Sequence, residues 1–148
     1  MALTSGLGGQ LSIDLGALAR NWRALDKVSA GALTGAVVKA DAYGTGITMA
    51  SKALHAAGAR FFFVATPDEG MAVRAAVPDA HIFVMNGLYP GAANLYIRQN
   101  LMPVLCSIEM LEEWMAKCLE RNEAYPSAFH FDTGINRLGF RLNEAGFV

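Results

Sequence analysis

Two short segments gather the residue types from which a covalent or acid–base site could be built. The first is Ala36-Val37-Val38-Lys39-Ala40-Asp41-Ala42-Tyr43-Gly44. Its lysine closes an apolar run, where a partly desolvated ammonium is disfavoured and the amine's pKa can fall. A neutral amine in such a place attacks a carbonyl and holds it as an imine. The competing reading is a lysine that snorkels to solvent from a strand end, and strand position alone favours it. Tyr43 could offer its phenol to an anionic group, and Gly44 and Gly46 would let backbone approach a ligand. The second segment is Phe129-His130-Phe131-Asp132-Thr133-Gly134-Ile135-Asn136-Arg137-Leu138-Gly139. Strand alternation places His130 and Asp132 on one face and the two phenylalanines on the other. If the polar pair faces an interior, it is too costly to bury without partners. Arg137 follows in a loop framed by Gly134 and Gly139, where its fork suits a carboxylate or an aromatic oxyanion. A capped turn with a solvated arginine accounts for these residues equally well.

Other candidates read as structure. His55 falls within a helical pattern and His81 at a strand start, where a lone histidine is more often a hydrogen-bonded structural residue. Trp22 and Trp114 lie at helical core spacing, and Asp68-Glu69 open a helix whose dipole they complement. No His/Cys/Asp/Glu set has metal-ligand spacing. There is no GxSxG elbow, no GxGxxG after a strand and no P-loop.

The elements that must position these residues alternate regularly. Apolar runs at Leu33–Val38, Phe61–Ala65, His81–Met85, Met102–Cys106 and Ala128–Asp132 read as five strands. Helical patterns occupy Leu15–Val28, Thr48–Ala57, Pro67–Val77, Gly91–Asn100 and Ser107–Asn122, with Asp14 and Ser107 as candidate caps. Met110, Leu111, Trp114, Met115, Cys118 and Leu119 make the last of these amphipathic. Near-continuous apolar strands, each followed by a helix, indicate a parallel sheet covered by helices. Right-handed crossovers leave an open doubly wound sheet or a closed eight-stranded barrel. Chemistry-bearing residues at several strand ends (Lys39, Asn86, Asp132) favour the barrel. The expected fold class is therefore α/β, a parallel (β/α) barrel of TIM type truncated to about five of eight strands. Asn143 onwards is expected to cap and begin a further helix, as if the barrel continued.

Composition narrows the function classes. Twelve Lys plus Arg balance thirteen Asp plus Glu for a net charge of −1, which gives no general attraction to nucleic acid or anionic lipid. Apolar residues reach 53% and charged residues only 17%, so the chain is no disordered linker. Part of its apolar surface is expected to await something outside these 148 residues. The uncharged stretch Ala80–Ile97 is broken by Asn86, Gly87, Pro90 and Gly91 and makes no membrane span. The segment before Arg20 lacks the basic start and compact apolar run of a secretory signal. Cys106 and Cys118 match no disulfide framework and read as inert thiols in a reducing compartment, hence a cytoplasmic protein.

Taken together, AVVKADAYG and FDTGINRLG, about ninety residues apart, resemble the two N-terminal signatures of the alanine racemase family. The resemblance runs from about Ser12 to the end. It implies a pyridoxal 5'-phosphate enzyme with an N-terminal eight-stranded barrel and a mostly β C-terminal domain. Residues 1–148 would then be the N-terminal portion of the barrel domain, with the C-terminal domain absent. The resemblance implies that Lys39 holds the cofactor as an imine and that Tyr43 contacts its phosphate. By the same matching, Arg137 bonds the phenolic oxygen of the cofactor and lies near the substrate carboxylate, and Met85 packs against the ring. Two departures stand out. Gly44-Thr45-Gly46 replaces the usual Gly-His-Gly, and His130 stands where many members carry a carbamylated lysine paired with the arginine.

The implied reaction interconverts L-alanine and D-alanine, supplying D-alanine for peptidoglycan. Lys39 would serve as base on one face of the α-carbon. A tyrosine of the partner subunit's C-terminal domain, outside this chain, would serve on the other. A homodimer is implied for the whole enzyme, with alanine as its small-molecule partner and neither nucleic acid nor membrane. The isolated chain is expected to carry the reactive lysine yet racemise poorly or not at all. Two further readings are a pyridoxal-phosphate barrel racemase of broader specificity and a non-catalytic folding fragment whose strand edges pair with another copy.

Overall fold

The computed structural model describes residues 9–147. Residues 1–8, where the N-terminal segment begins, and Val148, which closes the expected last helix, lie outside them. Helix α1 spans Leu15–Val28, as the periodicity predicts, and starts where Asp14 accepts the Ala17 N–H at 2.9 Å. Strands β1 (Ala36–Val37), β2 (Phe61–Val64), β3 (His81–Val84), β4 (Leu101–Leu105) and β5 (Ala128–Phe129) follow, each shorter than or shifted from the apolar run that announced it. Between them lie α2 (Lys39–Gly44), α3 (Ile47–Ala57), α4 (Pro67–Ala76), α5 (Ala93–Arg98) and α6 (Ile108–Arg121). Ser107 caps α6 through the Met110 N–H, and Asn122 ends it in the left-handed conformation.

All four strand pairings are parallel, in the order β1-β2-β3-β4-β5. A doubly wound sheet reverses its strand order at a switch point. Here every strand lies beside its neighbours in sequence, as around a barrel wall. Strand order thus decides between the two architectures that the apolar runs leave open: the five strands are part of a parallel α/β barrel of TIM type.

Alternation divides the sheet into two faces. Phe62, Val64, Ile82, Val84, Leu101 and Leu105 are at most 2% exposed and pack under the helices with Leu54, Val73, Tyr96 and Trp114. Burial of this layer is the main stabilising term, roughly 1.5–3 kcal/mol for each large side chain. The opposite face carries Val37, Phe61, Phe63, Phe83, Met102 and Val104, which are exposed or half-buried. Phe63 and Phe83 stack at 4.9 Å across β2 and β3, and Phe61 stacks on His81 at the same distance. This concave apolar face is the side a closed barrel turns inward.

Three local departures have physical reasons. Leu33 and Thr34 precede the pairing of β1, because the chain first turns through Ser29–Ala32, where Ala32 N–H donates to Ser29 O at 3.0 Å. Asn143 caps nothing: it lies inside a 3-10 turn over Leu142–Phe147, and Glu144 accepts the Arg141 N–H at 2.8 Å. The polar, glycine-bearing stretch after Lys39, which lies between the strand and helix patterns, is a helical turn of the wrong hand. Among the described residues no helix is long and apolar enough to cross a membrane.

Candidate functional site

A cavity of about 410 Å³ opens at the carboxyl ends of the strands. The register explains who lines it. Val37 pairs with Phe63, Phe63 with Phe83, and Phe83 with Met102. Two residues further along each strand, on the same face, come Lys39, Ala65, Met85 and Val104, and all four line the cavity above Phe63. Val104 pairs with Ala128, so the same parity brings His130 into the lining, and Arg137 and Leu138 close it from the following loop. A lysine, an arginine and a titratable histidine therefore face a half-apolar space with no acidic lining residue among those described. Such a space suits an anionic ligand with a flat apolar body.

Lys39 is fixed by an unusual backbone. Ala40, Asp41, Ala42 and Tyr43 all have φ between 52° and 55°, so α2 is a left-handed turn. An L-residue pays roughly 1–2 kcal/mol for that conformation. Four in succession persist only where the surroundings over-determine them. Ala42 N–H donates to Val38 O at 2.9 Å, and Gly46 N–H to Asp41 O at 3.0 Å. The Asp41 carboxylate accepts the Ile47 N–H at 2.7 Å, tying the turn to the start of α3. At its beginning, Ala40 N–H donates to Glu69 Oε1 at 2.7 Å.

The other walls are held by ordinary means. Met85 N–H continues the ladder to Val64 O at 2.8 Å, and Asn86 N–H reaches Ala65 O at 3.2 Å. Gly87 then turns the chain, and its carbonyl accepts the buried Tyr96 hydroxyl at 2.7 Å. His130 N–H donates to Leu105 O at 2.9 Å, extending β5 by one bond. Burial pushes the nearby Cys106 thiol up, consistent with an inert thiol.

The loop bearing Arg137 is organised by Asp132. One oxygen, Oδ1, accepts both the Gly134 and Asn136 N–H groups at 3.0 Å. These bonds, Asn136 first, hold the Asp132 carboxyl below its ordinary 3.8. A native pKa below the unfolded one contributes stability that is present above 3.8 and is lost as pH falls through the lowered native value. The Gly134 and Asn136 amide resonances are thus expected to titrate together below about pH 4. Asp132→Asn should abolish that titration while Lys39-side resonances stay unmoved. Independent titration of the two amides would count against a shared carboxylate.

The structure brings Lys39, Met85, His130 and Arg137 to one cavity. Tyr43 stands apart from the lining and is 64% exposed. Asp132, on the same strand parity as His130, organises the loop instead of lining the space. Asn86, singled out at its strand end, does line the cavity. The residues not expected there are Phe63, Ala65 and Val104 and, bonded to the turn after Lys39, above all Glu69, whose place in the sequence suggests only a partner for a helix dipole. The Thr66-x-x-Glu69 capping box is a visible signal for one of its oxygens, and nothing in the sequence marks the other.

A family model described as the alanine racemase N-terminal domain matches residues 13–148. The chain is 54% identical over 145 residues to an alanine racemase of Methylobacterium sp. strain 4-46, covering 98% of this chain and 40% of that protein. It is 50% identical over 139 residues to a biosynthetic alanine racemase of Agrobacterium fabrum, covering 94% and 35%. Among solved structures, an alanine racemase from Bartonella henselae with covalently bound pyridoxal phosphate aligns at a TM-score of 0.88. It shares 34% identity over 91% of this chain and 40% of its own. The biosynthetic alanine racemase of Pseudomonas aeruginosa aligns at 0.82 with 29% identity, over 91% and 37%. The chain thus spans roughly two fifths or less of the length of these relatives.

Proposed function

We propose a function from one premise: the chain belongs to the family of the alanine racemase N-terminal domain. Its cavity is the cofactor half of a pyridoxal-phosphate site for racemising alanine. The observation that carries this reading is the convergence of Lys39, Met85, His130 and Arg137, from the ends of β1, β3 and β5 and the loop after β5, on one cavity with no acidic lining residue among those described. The residues present fit the group: a primary amine for its aldehyde, a guanidinium for its oxyanion, and apolar side chains for its ring. When bound, pyridoxal phosphate supplies an electron-withdrawing ring that accepts the electron pair left when an amino acid loses its α-proton.

The chain's own residues would act around that group. Lys39 would hold it through its amine and would serve as the base on one face of the α-carbon, taking the proton from one enantiomer or delivering it to form that enantiomer, while a second base outside this chain would serve the opposite face. Arg137 binds the phenolic oxygen and orients the substrate carboxylate. His130, which shares the cavity lining with Arg137, fills the place where many relatives carry a modified lysine. Met85, Phe63 and Val104 keep water from the reacting carbon. Tyr43 is assigned to the phosphate on the family motif alone, since its exposed ring stands outside the lining. In this proposal residues 1–148 contribute the beginning of the barrel domain. A β-rich domain, the second base, a homodimer, a cytoplasmic location and a role in D-alanine supply belong to the whole protein by family membership.

The test is isotopic. The polypeptide carrying these residues is incubated with pyridoxal phosphate and L-alanine in deuterated water. Formation of D-alanine with deuterium at the α-carbon is expected. Exchange confined to another amino acid, or none in a polypeptide of the relatives' length, would defeat the reading.

A further inference from the structure

We infer that Glu69 is a positioning residue for Lys39, acting through the backbone of the left-handed turn; this deepens the proposed role of Lys39 and rests on it. The carboxylate divides its two oxygens between two loops. Oε2 accepts the Ala65 N–H at 2.8 Å and the Thr66 N–H at 3.3 Å, closing the capping box of α4. Oε1 crosses to the neighbouring loop and accepts the Ala40 N–H at 2.7 Å. Ala40 is the first left-handed residue and follows Lys39 directly, while Ala65 lines the cavity beside Lys39. One half-buried side chain therefore ties the two adjacent cavity walls together at the point where the backbone is most strained.

A helix cap alone does not need this arrangement, since Oε2 and Thr66 complete the box without Oε1. The second oxygen serves only the turn. An amide side chain separates the two tasks. Glutamine keeps one carbonyl oxygen, enough for the capping box, but presents an NH₂ where Ala40 also presents a donor. Thr66→Ala does the reverse: it removes the hydroxyl that accepts the Glu69 N–H at 3.4 Å and leaves the bond to Ala40 in place.

The experiment compares Glu69→Gln with Thr66→Ala in the full polypeptide that carries these residues, with thermal midpoints measured for both. Hydrogen exchange at the Ala40 amide should quicken about tenfold in Glu69→Gln and stay unchanged in Thr66→Ala. The apparent dissociation constant for pyridoxal phosphate, read from the visible band formed on attachment to Lys39, should rise about tenfold in Glu69→Gln only. Equal behaviour of the two variants in both readouts overturns the inference, whatever their stabilities. If the unaltered protein forms no such band, the reading of Lys39 fails by itself, and Ala40 exchange still decides whether Glu69 holds the turn.

Discussion

Lys39→Ala is expected to reduce borohydride-fixed pyridoxal phosphate on this protein to background, with circular dichroism unchanged. The expectation follows from the cavity's chemistry. Of its lining side chains only three carry nitrogen bases or cations: Lys39, His130 and Arg137. A guanidinium stays protonated and is no nucleophile at neutral pH. An imidazole nitrogen that adds to an aldehyde cannot lose water to form a neutral double bond, so borohydride fixes nothing there. The lysine amine does both: a carbon–nitrogen double bond forms, the carbonyl oxygen leaves as water, and hydride reduction makes the attachment permanent. In the unaltered protein the label should sit on one tryptic peptide, Val28 to Lys52, left uncut at the modified Lys39. The competing lysines lie elsewhere, Lys27 in α1, Lys52 in α3 and Lys117 paired with Glu120 in α6. Label on any of these, or label that survives Lys39→Ala, would leave the proposed site without its covalent anchor.

Folding should survive that change, because Lys39 is half-buried at the mouth and makes no hydrogen bond with another described residue through its amine. The same position explains why the lysine is legible from residue order alone. An apolar run that ends in a cation and then loses its periodicity marks the tip of a parallel strand, and barrel tips are where sites gather. His130 is legible by parity, and Arg137 by the glycines on both sides of its loop. The helices are legible where a side chain caps them, as Asp14 and Ser107 do, since that signal is local in sequence.

What escapes the sequence is held by contacts distant in the chain. Ala40-Asp41-Ala42-Tyr43 has no glycine and no asparagine to advertise four positive φ angles. The turn exists because Glu69, twenty-nine residues on, and Asp41 itself pin its two ends. Nor does the motif reveal that Tyr43 leaves the cavity lining, for the turn's hand decides where its ring goes. Strand lengths are overread for a related reason. Hydrophobic runs report burial, whereas pairing stops where a neighbour stops, and β1 and β5 form only two ladder residues each.

Gly139→Ala should produce the largest loss of structure at the site of any single methyl addition. Gly139 has φ +112°, and a Cβ there would lie 2.7 Å from Asp132 N and 2.9 Å from His130 O. Both are backbone atoms, so no side-chain rotation relieves the overlap. They also belong to the ladder that brings the loop home: Asp132 N–H donates to Phe140 O at 2.9 Å, and Phe140 N–H donates to His130 O at 2.7 Å. Relief of the clash must therefore open these bonds, lift fully buried Phe140 from Phe129 and Phe131, and carry Arg137 away from His130. Strain and overpacking together place the cost at about 3 kcal/mol. Gly134→Ala is the internal comparison. Its φ of +136° is equally unsuited to alanine, yet no heavy atom lies within 4 Å of the added carbon. Backbone strain alone predicts about 1 kcal/mol there. Denaturant titration of both variants measures the difference, and pyridoxal-phosphate affinity should fall far more for Gly139→Ala, because only that change displaces Arg137. Equal costs for the two glycines would mean that the ladder between His130, Asp132 and Phe140 is not what holds the arginine loop across the cavity mouth.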